Sequence, residues 1–361
     1  MAVVTPVGGV LPAPVVDCDA AVVYVGDAVV LLSLLGEGWA DAVVTDPPYG
    51  LGFSGEPWDG RAGFARSLPG LDVAGLSDGD VFQAWCQAWA AGALACLRPG
   101  GHLVAFGGTR TWHRLAAGVE AAGFEVRDQI AWLYSSGVPK SLDLSNAADK
   151  RLGAVRPDRE VVVSERDTVL GVTRRVVARG VPVTLEAGRL EGWGTGLKPA
   201  FEPILVARKP CEGGVVGNVL EHGVGGLNIG RSRTAGGRWP ANAALDGVQA
   251  ARLDALAGAG VSARFPVFHH ASKASPSERP RAFGVSHATV KPLSLMRWLV
   301  GLVAPAGGVV LEPFAGSGAT VEAAVLEGMR VVAVEKDPSF APLVRARLDR
   351  IADADLKPTP G

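Results

Sequence analysis

The chain has 361 residues, 48% hydrophobic and 20% charged, which is enough apolar material for a sizeable core and too much for a disordered or fibrous polymer. Its net charge of −1 hides a division: residues 1–150 carry 8 Lys+Arg and 16 Asp+Glu, residues 151–300 carry 21 and 12, and residues 301–361 carry 6 and 8. A basic middle between acidic ends suits a polyanion-binding insert on an enzyme core and argues against a uniformly charged nucleic-acid binder.

The first third alternates strands and helices. Val22–Val25 reads as a strand closed by Gly26-Asp27, Ala28–Leu35 as a helix, and Asp41–Thr45 as a strand running into Asp46-Pro47-Pro48-Tyr49. Gly52–Gly79 reads as a long loop. Asp80 is predicted to cap a helix carrying Trp85, Trp89 and Leu94 toward a core and ending at Pro99-Gly100-Gly101. His102–Phe106 is a predicted strand, Thr111–Ala122 a helix and Phe124–Tyr134 a strand. The middle breaks this rhythm: Ser135–Ser145 is a loop before a short helix, Val155–Arg189 has no clear period, and Gly192–Pro199 is turn-rich. A strand follows at Pro203–Lys209, and glycine and arginine dominate Cys211–Trp239. Alternation returns with a helix at Pro292–Val303, a strand at Gly308–Leu311, a helix at Ala319–Glu327, a strand at Arg330–Val334 and a last helix at Ala341–Ile351. The pattern predicts an α/β fold whose sheet is covered by helices on both faces. The expected division is an N-terminal extension over 1–19, a first half-domain over 20–150, a loop-rich insert over 151–265, a second half-domain over 266–351 and a polar tail over 352–361.

Two segments carry chemistry. In Glu312-Pro313-Phe314-Ala315-Gly316-Ser317-Gly318, the glycines let backbone approach a ligand at the end of a strand and free the next helix's N-terminus to face it. Glu335, at the end of the next strand, can accept hydrogen bonds from both hydroxyls of a ribose. Together they make a nucleoside-cofactor site, which an NAD enzyme would also present. In Asp46-Pro47-Pro48-Tyr49, a carboxylate and the Pro47 carbonyl can accept both N–H bonds of an aromatic amine. That frees a lone pair otherwise delocalised into the ring, and the prolines stiffen the acceptors. The Tyr49 ring offers a stacking face worth about 1–3 kcal/mol to an extruded base, which offsets much of the cost of flipping it.

These motifs, in this order, resemble the beta group of DNA amino-methyltransferases, phage and prophage members in particular. Their catalytic motif reads Asp/Asn/Ser-Pro-Pro-Tyr/Phe/Trp and their cofactor loop Phe-x-Gly-x-Gly. Gly26-Asp27, Trp58-Asp59, Ser136–Asp143, Gly196–Pro203, Gly237–Asn242 and His287-Ala288-Thr289-Val290-Lys291-Pro292 are similar to further family segments. The resemblance covers most of residues 20–350. Glu312 replaces the family's usual Asp, and Ala288 its usual Pro. The resemblance implies a Rossmann-like, mostly parallel sheet with one antiparallel edge strand, S-adenosyl-L-methionine (AdoMet) as methyl donor and double-stranded DNA as substrate, with the insert reading sequence. It further implies that Asp27 contacts the adenine end of AdoMet, that Phe314, Gly316, Ser317 and Gly318 line it, and that Thr289 and Lys291 lie near its methionine carboxylate. Asp at the first motif position favours adenine N6 over cytosine N4. A homodimer, a restriction endonuclease partner and an orphan enzyme are all left open. An NAD-dependent enzyme and a non-catalytic DNA-binding protein on the same core are the readings from other classes.

Other features are less informative. Arg231, Arg233, Arg238 and Trp239 are the candidate DNA contacts within the insert. Pro210-Cys211 lacks the setting of a nucleophilic cysteine and reads as a packing or loop residue. His269 and His270 point to opposite faces of a strand, and Cys18, Cys86, Cys96 and Cys211 form no Cys-x-x-Cys pair, so no metal is assigned. The scattered cysteines fit a reducing cytoplasm. Met1–Val16 lacks the basic start of a signal peptide, and Trp298–Leu311 is too short to span a membrane.

Overall fold

The computed structural model describes residues 9–52, 57–135, 137, 141–156, 165–167, 172–174, 180–268, 278–280, 282, 284–287 and 289–355. The chain divides into two compact units, one of residues 1–136 with 201–361 and a smaller one of residues 137–200. In the first segment the elements are β1 (Val16–Asp17), β2 (Ala21–Val25), α1 (Ala28–Leu32), β3 (Ala40–Thr45), α2 (Arg61–Arg66), α3 (Asp78–Cys96), β4 (Leu97–Phe106), α4 (Trp112–Ala121) and β5 (Glu125–Leu133). The smaller unit holds α5 (Leu144–Arg151), β6 (Glu165–Asp167), β7 (Val172–Arg174) and α6 (Leu185–Arg189). The remainder supplies β8 (Phe201–Arg208), α7 (Val215–His222), α8 (Ile229–Ser232), β9 (Ala243–Asp246), α9 (Gly247–Ala257), β10 (Val267–Phe268), α10 (Leu293–Val303), β11 (Val309–Glu312), α11 (Ala319–Leu326), β12 (Arg330–Glu335) and α12 (Ala341–Asp355).

Among the described residues the larger unit carries one ten-stranded sheet in the order β1-β2-β12-β11-β3-β4-β8-β5-β9-β10. Strands β2, β12, β11, β3 and β4 are mutually parallel, so their carboxyl ends share one edge. The pleat sends alternate residues to opposite faces. Val104, Phe106, Ile204, Val206, Val310 and Val331 pack under α10 and α11, with Leu295, Met296, Leu299 and Val321. Leu103, Ala105, Leu205, Ala207, Leu311 and Val332 pack on the other face, with Leu32, Trp85, Trp89 and Leu115 from α1, α3 and α4. A sheet covered on both faces needs apolar residues at every position, and these strands read as continuous hydrophobic runs for that reason.

The fold class is the expected one, an α/β domain with a mostly parallel sheet. One edge is antiparallel, β1 against β2, and a second reversed strand, β8, stands inside the sheet between β4 and β5. Several local expectations are corrected. Ser77, not Asp80, caps α3; Asp80 is the reciprocal partner of a capping box, accepting from the Ser77 backbone while Ser77 accepts from its own. The α3 helix passes straight into β4 at Leu97, so Pro99-Gly100 lies within a strand. The expected loop at 52–79 contains α2 and a 3-10 turn, Pro57–Asp59. The expected insert boundaries, 151 and 265, do not coincide with the compact unit at 137–200, because β8 and β9 return the chain to the main sheet.

In the smaller unit, buried Asp149 accepts from the Thr184 hydroxyl at 2.7 Å, from the backbone N–H groups of Val183 and Thr184, and from Arg156. These bonds outweigh the cost of its burial and hold its carboxyl well below the usual range. The Arg156 and Asp149 pair is therefore the polar core of that unit. Residues 157–164, 168–171 and 175–179 of the 155–189 span, residues 138–140, His269, His270 and Ala288 lie outside the described residues. Among the described residues no helix is long and apolar enough to cross a membrane.

Candidate active site

The chain leaves β3 toward β4 on one side and leaves β11 toward β12 on the other. Between β3 and β11 the crossovers part, so the carboxyl ends of these two strands mark the switch point of the sheet, the place where such folds bind ligands. The two motifs of interest are the segments that follow these two strands. Their strands are tied at both ends: Asp41 Oδ2 accepts from the Val309 backbone at 2.7 Å, and the Thr45 hydroxyl donates to Glu312.

On the β3 side, four polar side chains meet. Lys291 Nζ donates to Asp46 Oδ2 at 2.6 Å and to the Tyr49 hydroxyl at 3.1 Å, and lies 3.5 Å from Glu202 Oε2. The Tyr49 hydroxyl lies 2.9 Å from Asp46 Oδ1 and 3.0 Å from Glu202 Oε2, with one proton to give to two acceptors. Burial disfavours the Lys291 ammonium, but Asp46 and Glu202 outweigh it and hold the group above its ordinary value, so it stays protonated. Burial, then the same two carboxylates, push the Tyr49 hydroxyl well above its ordinary value. The turn itself is held by its neighbours. The Thr111 hydroxyl donates to the Tyr49 carbonyl at 2.6 Å, and buried Asp59 accepts from Gly50 N at 2.7 Å and Leu51 N at 3.2 Å. Trp58-Asp59 thus has a mechanical reason to follow the motif. Pro47 is buried and Pro48 half-buried.

On the β11 side, Glu312 accepts from Phe314 N at 2.9 Å, and burial pushes its carboxyl up to about 7 despite hydrogen bonds from Thr320 and Thr45. The Phe314 ring packs on Trp85 and Trp89 with centroids 5.4 and 5.5 Å away. Gly316 and Gly318 have φ of +48° and +77°, and a Cβ on Gly318 would lie 3.1 Å from Val344 Cα. Glu335 accepts from Gly316 N at 2.6 Å and Asp337 N at 2.8 Å, and burial raises its carboxyl. Asp27 caps α1 through Val29 N at 3.0 Å and accepts from Lys336 at 2.8 Å. Burial of Asp27 is outweighed by Lys336 and Ser67, which hold its carboxyl low. Thr289 is exposed; its carbonyl lies 2.7 Å from His287 Nδ1, and the His287 ring stands against Gly316.

The basic candidates lie elsewhere. Arg231 pairs with Glu327 just past the end of α11, and so stands the length of that helix, roughly 12 Å, from the glycine loop. Arg233 donates to the Gly237 carbonyl at 2.6 Å and covers the ring of Trp239, 5.6 Å from its centroid. Trp239 is 66% exposed, and Arg238 is exposed beside it.

A family model described as DNA methylase, of the N6/N4 type, matches residues 40–345, from β3 into α12. The chain belongs to this DNA methylase family. The methylase is 25% identical over 346 residues to Type II methyltransferase M.HindIII of Haemophilus influenzae, covering 89% of this chain and 92% of that protein. Among solved structures it is similar to the PvuII DNA methyltransferase, described as cytosine-N4-specific, with a TM-score of 0.52, 15% identity and coverage of 94% and 93% of the two chains. It is also similar to a putative DNA modification methylase of Thermus thermophilus complexed with S-adenosyl-L-methionine, with a TM-score of 0.46, 19% identity and coverage of 92% and 95%.

Two further residues stand at the site, Glu202 and His287, each within a segment similar to the family's. Glu202 reaches the cluster because β8 is reversed: its first residues lie beside the carboxyl end of β4, with Phe106 paired to Ile204. His287 lies ahead of Lys291 in the same family-like segment, but its ring contact with Phe340, 4.8 Å between centroids, depends on a contact across the chain. The family-like segments Gly196–Pro203 and His287–Pro292 mark both residues, but the reversed direction of β8 and the contact with Phe340 give them their places.

Proposed function

We propose that the methylase is site-specific and transfers a methyl group from AdoMet to the exocyclic amine of a flipped base in double-stranded DNA, adenine N6 being the target, in the cytoplasm. The observation that carries this reading is the pairing of β3 with β11, which brings the Asp46–Tyr49 turn and the Gly316 loop to one edge of the sheet. The site fits a nucleoside methyl donor. A Cβ on Gly316 would lie 3.1 Å from His287 Nε2 and one on Gly318 3.1 Å from Val344 Cα, so the tight turn into α11 requires glycine, and it sets the buried carboxylate of Glu335 beside the loop. Glu335, Asp27, Phe314, Gly316, Ser317 and Gly318 would hold AdoMet, with Glu312 and Thr289 beside them. Bound there, it supplies an electrophilic sulfonium methyl.

Asp46 and the Pro47 carbonyl accept the two N–H bonds of the amine and turn its lone pair out of conjugation. Each Asp46 oxygen retains a lone pair for this beside its bond to Tyr49 or Lys291. Tyr49, fixed by its hydroxyl and carbonyl, offers its ring to the flipped base. Alignment and preorganised acceptors account for most of the acceleration, and no covalent enzyme intermediate is involved. Lys291 is assigned to Asp46 rather than to the donor's carboxylate, because its ammonium is already committed there. The basic stretch 151–265, which includes most of the smaller unit, is assigned to target recognition, and Arg233, Arg238 and Trp239 to DNA contact.

The test is modified-base mapping of host DNA after expression, paired with a tritiated-methyl assay. N6-methyladenine at one sequence is expected. Asp46→Ala should keep AdoMet binding and lose transfer; wild-type turnover in that variant would remove Asp46 from the mechanism. N4-methylcytosine at the mapped site would overturn the choice of base alone.

A further inference from the structure

Methylation leaves the amine nitrogen with one proton more than the product carries, and the structure holds a route for it. We propose that Glu202 is the terminal proton acceptor and a positioning residue of the methylase, reached from Asp46 through the Tyr49 hydroxyl. This rests on the assignment of Asp46 to the base amine.

The geometry is a short relay. Asp46 Oδ1 and Glu202 Oε2 stand 2.9 and 3.0 Å from the same hydroxyl oxygen, and nothing but that hydroxyl is needed to join them. The step balances without a co-reactant. An N–H bond of the methylated amine breaks as an O–H bond forms on Asp46. Asp46 then passes a proton to the Tyr49 oxygen while Tyr49 passes its own to Glu202. Tyr49 ends neutral, Asp46 returns to a carboxylate, and Glu202 carries the proton. The Glu202 side chain is 24% exposed, so it can release the proton to water once the Asp46 side is covered by the base. Lys291 lies between the two carboxylates, 2.6 Å from Asp46 and 3.5 Å from Glu202, and pairs with both. It also fixes Asp46, since its ammonium holds the oxygen that the hydroxyl does not. The charged and titratable groups facing the relay are Asp46, Glu202 and Lys291 around Tyr49, Tyr134 beside Glu202, and Glu312 and His287, both within the field of Asp46.

Glu202 stands at the head of β8, where a carboxylate is otherwise a burden: it is half-buried and paired with Trp132 in the ladder. A structural acid there would need only Lys291. Sharing the hydroxyl with Asp46 is what a relay requires and a simple ion pair does not.

The experiment is single-turnover methyl transfer on unmethylated plasmid DNA by the wild type, Tyr49→Phe, Glu202→Gln, Glu202→Asp and the Tyr49→Phe/Glu202→Gln double variant. Each is paired with AdoMet and DNA affinities. Glu202→Gln and Tyr49→Phe should each slow transfer on the order of 100-fold, with both affinities held within about twofold. The double variant should be no slower than the slower single one, and Glu202→Asp should recover part of the rate. Wild-type speed in Glu202→Gln, or losses that multiply in the double variant, would overturn the relay while leaving methylation by Asp46 intact. A wild type that methylates no DNA would instead remove the reading on which the relay rests. A second readout needs no turnover. With 3 tyrosines in the chain, the Tyr49 ring carbon can be followed by NMR, its signal assigned by its loss in Tyr49→Phe. Glu202→Gln should lower its titration midpoint, and an unmoved midpoint would sink the coupling.

Discussion

Arg347, on the last helix, donates from Nε to the carbonyl of Ser317 in the glycine loop at 2.6 Å. The same guanidinium pairs with buried Glu322 and donates to the Glu278 carbonyl at 2.8 Å, and the side chain is fully buried. One arginine therefore shapes the loop from behind. Arg347→Met would leave the Ser317 carbonyl without this donor and Glu322 with Arg350 as its remaining cation. The expected cost is about 3 kcal/mol, read as a lowered Tm together with weaker AdoMet binding. Adding Glu322→Leu should restore part of the stability and none of the affinity.

Gly318 is a sharper probe of the same loop. At φ +77°, with Val344 backbone 3.1 Å from any added Cβ, Gly318→Ala is strained both locally and by contact. A loss of at least about 1 kcal/mol in urea denaturation is expected, with AdoMet affinity falling further than stability. A variant as stable and as tight-binding as the wild type would contradict the cradle.

Two buried groups set opposite pH dependences. Burial, with Arg208 and Arg127 nearby, lowers His102 from 6.5 to about 4, and its Nδ1 has no hydrogen-bond partner among the described residues. The unfolded chain then binds the proton more readily, so this contribution is complete above about 6.5 and is lost as pH falls toward 4. Glu312 is raised from 4.5 to about 7, so its contribution is complete below 4.5 and is lost as pH rises through 7. Each amounts to about 3 kcal/mol, and between pH 4.5 and 6.5 they oppose one another. Glu312→Gln should expose a stability that falls toward acid, and His102→Asn one that falls toward neutrality. Denaturation midpoints across pH 4 to 8 in the two variants would check this; parallel profiles would refute it.

For DNA binding, Arg233→Ala and Arg238→Ala should each lower the salt-dependence slope of affinity by about 1, as expected for a lost phosphate contact. Arg231→Ala should leave that slope unchanged, since its guanidinium is engaged by Glu327. Fluorescence anisotropy over a salt series separates the cases.

What the residues revealed beforehand follows from how local each signal is. Asp46–Tyr49 and Phe314–Gly318 each sit on a strand-to-helix passage whose neighbours are close in sequence, so both motifs and their strands could be read. Lys291 could be named but not placed, because its partner Asp46 is 245 residues away. Glu202 belongs to a family-like segment, but its role depends on the direction of β8, which no side-chain pattern encodes. The helices α7 and α9 were missed for another reason. Val215–His222 carries a helical apolar period, but it lies within the glycine-rich run, and its Val216 and Leu220 are 75% and 82% exposed; α9 carries only a weak period, with Leu256 88% exposed. The cap of α3 was misplaced by three residues because Ser77 and Asp80 are both capping types, and only their reciprocal bonds tell them apart.

The second strand, β2, lies beside the closing strand β12, and Arg345 of the last helix donates to the Val15 carbonyl at 2.7 Å. Order along the gene is thus nearly irrelevant to this architecture. A rearranged gene encoding α10 through α12 first, then joined to β1 through β10, would specify the same neighbours throughout the sheet. Evolution could shuffle donor-holding and amine-holding halves past one another without redesigning either.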